Sequence, residues 1–149
     1  MKTVEKAFAY ITQGSGETAR LLVFRQPDFP EAGVQVPAGT IDKDETPDAA
    51  VLREAQEETG LTRLTAPHFL GQQDFDARPF GKQELHRRHF FHLRVEGVVA
   101  ENWRHYESDP SDGSGVPIAF ELYWLPLNAA REALVASHGE LLPLLQEVL

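Results

Sequence analysis

Glu54, Glu57 and Glu58 stand at positions i, i+3 and i+4 of the run R-E-A-Q-E-E. On an α-helix, at 100° per residue, they fall within about 100° of arc, while Leu52, Ala55 and Thr59 lie roughly 120° away. One face is acidic and another can enter a core. Like charges at these spacings cost an isolated helix about 0.2–0.5 kcal/mol per pair, so a positive partner is expected. Arg53 reaches Glu57 at i+4 or Glu45 in the preceding loop, yet one guanidinium cannot neutralise three glutamates. Several carboxylate oxygens together are the ligand set of a hard divalent cation, whose open positions are left for substrate phosphate. An acidic triplet taken alone is more often the solvated face of an exposed helix, and spacing beyond the helix must decide between the two.

That spacing is specific. Gly39, Glu45, Arg53, Glu54, Glu57, Glu58 and Gly60, with apolar Ala55 and Leu61, fit G-x5-E-x7-R-E-U-x-E-E-x-G-U, in which U is apolar. At about 6% per residue type, seven such matches arise by chance on the order of once in 10⁸ starting points. The segment resembles the box of the Nudix hydrolases over 23 residues, Gly39 to Leu61. Two positions depart from common members: Ala38 stands where a second glycine is frequent, and Asp44 precedes Glu45 where glycine is usual. Both bear on the loop and leave the acids intact.

The resemblance implies an αβα sandwich and hydrolysis of a nucleoside diphosphate linked to another group, with water attacking phosphorus and Mg²⁺ or Mn²⁺ as cofactor. It makes Glu54, Glu57 and Glu58 metal ligands, the Gly39 carbonyl a further one, and Arg53 with Glu45 the brace between loop and helix. The general base is left among Glu107, Glu101, Glu84 and the box glutamates, Glu107 being placed in the long loop before the last strand. Subfamily marks downstream of the box, a proline about 15 residues on or a tyrosine slightly further, are missing, so the substrate stays open among nucleotide sugars, ADP-ribose, dinucleoside polyphosphates and nucleoside triphosphates. The alternative is a nucleotide-sensing or interaction module that keeps the fold without turnover, a reading that gains weight only when box acids are lost. Members of the family are commonly dimers, and the apolar ends of this chain are compatible with a homodimer.

Arg25, Arg78, Arg87 and Arg88 are candidates to hold non-reacting phosphates, because a guanidinium fork matches phosphate oxygens. Phe75, Phe80, Trp103 and Tyr106 could stack on a base, although aromatics near strands are more often core. His86, His89 and His92 alternate along a strand, so they are not one metal site.

Composition narrows the setting. The 149 residues fit a single domain over 1–149, and 42% apolar with 25% charged residues is globular usage rather than disorder. With no cysteine there is no thiol nucleophile and no zinc–thiolate site, so a metal must be held by oxygen or imidazole. The formal charge of −9 argues against a nucleic-acid polymer as partner, and no apolar run reaches the roughly 18 residues of a membrane span. A cytoplasmic location and a nucleotide-type small molecule as partner are the expectations. Charge is segregated: Gly39 to Leu61 holds seven acids and two bases, whereas Asp74 to Arg94 holds five bases and three acids.

Around the chemistry, Val4 to Thr12 and Ala19 to Arg25 read as strands paired through the turn sequence GSGE. A short extended piece, Val34 to Val36, leads through Pro37 and Gly39 into an acidic loop. Thr46 as N-cap, Pro47 at the first helical position and Gly60 past the end delimit a helix of about 13 residues. His68 to Phe75, Leu85 to Val95 and Ile118 to Leu125 are further strands, with Ser108 to Pro117 a long loop. Asn128 is expected to cap a helix to about Ser137, and ELLPLLQEVL a last one with Pro143 in its first turn. The pattern predicts an α/β (α+β) sandwich with a central mixed sheet.

Overall fold

The computed structural model describes residues 1–107 and 115–149. Seven strands form one mixed sheet: β1 (Lys2–Gln13), β2 (Arg20–Arg25), β3 (Ala38–Thr40), β4 (His68–Asp76), β5 (Glu84–Arg94), β6 (Asn102–Glu107) and β7 (Ile118–Pro126). Their order is β4-β5-β1-β2-β7-β6, with β3 pairing off this path against β1. Helices α1 (Pro47–Thr59), α2 (Leu127–Ala133) and α3 (Leu142–Gln146) complete the chain. The expected sandwich with a central mixed sheet is the observed one.

Alternation along the strands divides the core into two layers. Ala7, Ala9 and Ile11 of β1 and Phe91 and Leu93 of β5 meet Ala50, Val51 and Ala55 of α1. Phe8, Tyr10 and Phe90, one residue out of phase, meet Leu127 and Ala130 of α2 and Leu142 and Leu145 of α3. Each central strand is therefore buried on both faces, as the period of two requires for a sheet covered on both sides.

β1 and β5 run parallel over eleven residue pairs, Lys2↔Glu84 to Thr12↔Arg94. The other edge of β1 is shared. β2 pairs with it only at Thr12↔Leu21 and Gln13↔Arg20, next to the GSGE turn, and then leaves to pair with β7. Into the opening comes residues 35–40: Gln35 bridges to Phe24 of β2, while Ala38–Thr40 pairs with Lys6–Phe8 of β1. This split beside β1 is what admits a cleft into the sheet.

The helix signals are met as expected at α1. Thr46 Oγ1 accepts from the Ala49 N–H at 3.4 Å, Pro47 starts the helix, and Gly60 at φ 77° donates its N–H to the Gln56 carbonyl. Three expectations are corrected. Residues 102–107 form a strand, so Glu107 ends β6, opposite Ile118, instead of lying in a loop. Asn128 is not the cap of α2: the Leu127 N–H is still donated to the Ala19 carbonyl, so the helix starts where that contact ends and Asn128 falls in its first turn. α2 also stops at Ala133 rather than near Ser137, because Leu134 bridges to Val34 and the Val135 N–H is donated to the Val34 carbonyl. Pro143 does sit in the first turn of α3. Most of the expected loop from Ser108 to Pro117, residues 108–114, lies outside the described residues. Among those described, no helix is long and apolar enough to cross a membrane.

Candidate active site

A cleft of about 970 Å³ opens where β1 and β2 part, bounded by β3, the acidic face of α1, β6 and the polar end of β5. Glu54, Glu57 and Glu107 converge in it, one carboxylate oxygen of each lying within 4.8 Å of the others. Two of these come from successive turns of α1. The third is brought by β6, whose inward residues Trp103, His105 and Glu107 alternate toward the end of α1, Trp103 donating through Nε1 to the Thr59 carbonyl at 2.8 Å.

Arg53 orients this group. Its Nε and Nη2 hold both oxygens of Glu45 at 2.7 and 2.8 Å, Nη1 reaches Glu54 at 2.7 Å and Glu57 at 3.4 Å, and Nη2 also meets the Thr40 carbonyl at 3.2 Å. The brace between loop and helix is thus a forked guanidinium with planar, charge-assisted bonds on both sides. Gly39 lies against the Glu54 carboxyl so closely that a Cβ there would stand 2.0 Å from the Glu54 Cδ. The glycine is needed for contact, not for backbone freedom.

Glu58 is placed differently from its two neighbours. It is buried, its Oε1 accepts from the Ala38 N–H at 2.7 Å, and it stands outside the convergent three. Burial, reinforced by Glu54, Glu107 and Glu57, pushes its pKa well above the ordinary carboxylate value. Burial likewise raises Glu54, against the lowering effect of Arg53. The Arg53 fork holds Glu45 down at about 2, and Glu45 in turn raises Arg53.

A set of three hard oxygen donors within 4.8 Å fits a hard divalent cation, and with no sulfur or imidazole in the group it does not favour a soft one. Glu54, Glu57 and Glu107 are the side chains that would hold it.

Of the expected phosphate contacts, only Arg88 lines this cleft. Arg25 lies on the outer part of β2 paired with Glu121, which Arg104 also engages. Arg78 is exposed and folded back on Asp76 at 2.6 Å, and Arg87 points to Asp74 and Glu5. Phe80 is exposed and packs on Phe75 at 5.5 Å, Trp103 is taken up by α1, and Tyr106 lines the cleft. Glu101 pairs with Arg20 at 2.5 Å, and Glu84 with His86 at 2.8 Å. The three histidines of β5 have separate partners: Glu84 for His86, Glu5 for His89, and Thr12 for His92.

Sequence reasoning missed Lys6, Lys82 and His138, all of which line the cleft. Lys6 carried a signal, being the polar member of the β1 alternation that continues through Phe8 and Tyr10. His138 carried none, since it reaches the cleft from the turn after α2.

Residues 2–145 match the NUDIX domain family model, and the chain belongs to that family. No curated protein sequence matches it. Among solved structures it resembles a C. elegans Ap4A hydrolase (18% identity, 98% of each chain, TM-score 0.68). The NUDIX domain of Shewanella oneidensis NrtR complexed with ADP ribose is similar too (15% identity, 99% of this chain and 89% of that one, TM-score 0.67). A UDP-X diphosphatase shares 18% identity over 99% of this chain, which spans 63% of the diphosphatase (TM-score 0.65).

Proposed function

We propose that the protein is a divalent-cation-dependent pyrophosphohydrolase cleaving the diphosphate linkage of a nucleoside diphosphate-X. The observation that carries this reading is the convergence of Glu54, Glu57 and Glu107 in a cleft large enough for a nucleotide, braced by Arg53 and Gly39. Mg²⁺ or Mn²⁺, when bound, supplies neutralisation of charge on the phosphoryl oxygens and a more acidic water.

The chain's own residues supply position. Arg53 restrains Glu54 against rotation and ties the loop at Thr40 and Glu45 to the helix. Glu58 fixes β3 through the Ala38 N–H, while its Oε2 accepts no hydrogen bond from the described residues. That oxygen is assigned as acceptor of the proton lost when the water oxygen bonds to phosphorus and the bridging P–O bond breaks. Two products leave, a nucleoside monophosphate and phosphorylated X.

The test is a panel of nucleotide sugars, ADP-ribose, dinucleoside polyphosphates and nucleoside triphosphates, assayed with and without Mg²⁺ or Mn²⁺ with identification of products. Metal-dependent cleavage is expected, and Glu57→Gln should reduce it by at least ~10²-fold with unchanged circular dichroism. Near wild-type turnover in that variant would refute the assignment, and binding without cleavage would favour a nucleotide-sensing module.

A further inference from the structure

Facing the acids, the cleft carries three cations to which the described residues supply no ion pair. Lys6 and Arg88 are directly opposed in the parallel β1–β5 ladder, and Lys82 lies in the turn before β5. Among the described residues no carboxylate comes within 4.0 Å of any of them, whereas Arg25, Arg53, Arg78 and Arg87 are all so engaged. Lys6 is held toward the box by its Nζ donating to Thr40 Oγ1 at 2.8 Å.

Arg88 is the most telling of the three. It is 3% exposed, with its guanidinium 3.7 Å from the Phe75 ring centroid and 4.7 Å from that of Phe8. Nη1 donates to Gln73 and to the Ala136 carbonyl, Nε is the one buried side-chain polar atom without a partner among the described residues, and Nη2 donates to none of them. A neutral amide could hold the Ala136 carbonyl as well. Burial pulls its pKa down to about 10 against the raising effect of Tyr10 and Glu140, so it stays charged at neutral pH; burial, then Lys82 and Arg88, lower Lys6 against the raising effect of Glu84 and Glu54. Like charges set side by side destabilise the free protein, and an anion bound between them relieves that cost.

We infer that Lys6, Lys82 and Arg88 form a subsite for a further phosphate of the substrate, beyond the diphosphate that is cleaved. This rests on the proposed pyrophosphohydrolase activity and narrows it: the cleft, acidic at one wall and cationic at the other, fits nucleoside triphosphates and dinucleoside polyphosphates better than diphosphates joined to a neutral sugar. A neutral X leaves the three cations unpaired.

The experiment compares kcat/KM for UTP and UDP-glucose, and for ATP and ADP-glucose, at saturating Mg²⁺ in the wild type, in Lys82→Met and in Lys6→Met/Lys82→Met. Within each pair the base and the cleaved linkage are shared, and the extra phosphate differs. The wild type is expected to favour the triphosphate by at least about tenfold, with the steeper salt dependence, and the double variant to bring the ratio to within about threefold of unity. Arg88→Lys, which keeps the charge and loses the fork, should fall between. A wild-type ratio near unity, or a ratio and salt slope unaltered in the double variant, would overturn the subsite while leaving the hydrolase standing. No cleavage of any panel nucleotide would remove both.

Discussion

Gly39→Ala tests the architecture of the acidic wall with a single carbon. The added Cβ would stand 2.0 Å from Glu54 Cδ and 2.3 and 2.4 Å from its oxygens, whereas ordinary contact begins at 3.4 Å, so about 1.4 Å must be found. Retreat of β3 is opposed by its three-residue ladder with β1 and by the flanking bonds from Ala9 N–H to the Pro37 carbonyl and from Ile41 N–H to the Glu5 carbonyl, at 2.8 and 3.0 Å. The Glu54 carboxyl yields instead, leaving the 2.7 Å bond to Arg53 and the 4.8 Å group. A displacement of this size at a reacting centre costs about 10²-fold in kcat. Because the displaced group is the end of a flexible side chain, the stability cost should be small, about 1 kcal/mol for the lost Arg53 bond, a fall in Tm of roughly 2–4 °C for a domain of this length. The assays are steady-state hydrolysis of the nucleotide turned over fastest, Mn²⁺ binding by calorimetry, and thermal melting. A folded variant with kcat and Mn²⁺ affinity both within about threefold of the wild type would refute the reasoning.

Two further outcomes concern the supporting structure. The Arg53 fork holds Glu45 at about 2 against an ordinary 4.5, so its stabilisation is fully present above about pH 4.5 and is lost as pH falls through about 2. With Arg53 and Glu45 both partly exposed, screening leaves ~1 kcal/mol, and Glu45→Gln should be less stable than the wild type by that amount at pH 7 in urea titrations; a difference that failed to shrink between pH 5 and pH 2.5 would count against the linkage. Tyr10→Phe should cost about 1–2 kcal/mol, because the buried hydroxyl donates to the His138 carbonyl at 2.5 Å and the phenyl ring leaves that carbonyl without its partner. The turn it anchors contains Ala136 at φ 50° and Ser137 at φ 62°, so amide exchange there should quicken in the variant, and unchanged exchange and stability would contradict the role.

Much of the site was readable because it is local. One 23-residue run announced the helix, its caps at Thr46 and Gly60, the acidic face and the Arg53–Glu45 brace, and each depends on contacts within a loop and the helix that follows it. The hairpin at GSGE and the strands of β4, β5 and β7 were legible for the same reason, as alternation and turn chemistry act over a few residues. β6 escaped because its inward residues Trp103, His105 and Glu107 are mostly polar and it lies at a sheet edge, leaving no apolar stripe to read.

Residue types and spacing by themselves determined that this chain builds an acid-faced helix of the Nudix kind. Only tertiary structure decided which acids meet: Glu107 joins Glu54 and Glu57 through strand pairing from some fifty residues away, while Glu58, adjacent to Glu57 in sequence, turns to the Ala38 N–H. It also decided that Arg88, and not Arg25, Arg78 or Arg87, faces the cleft, beside a lysine from a strand eighty residues earlier. Helical periodicity is a property of one segment, whereas the company a side chain keeps across a sheet depends on which strands become neighbours, and no short-range pattern encodes that order.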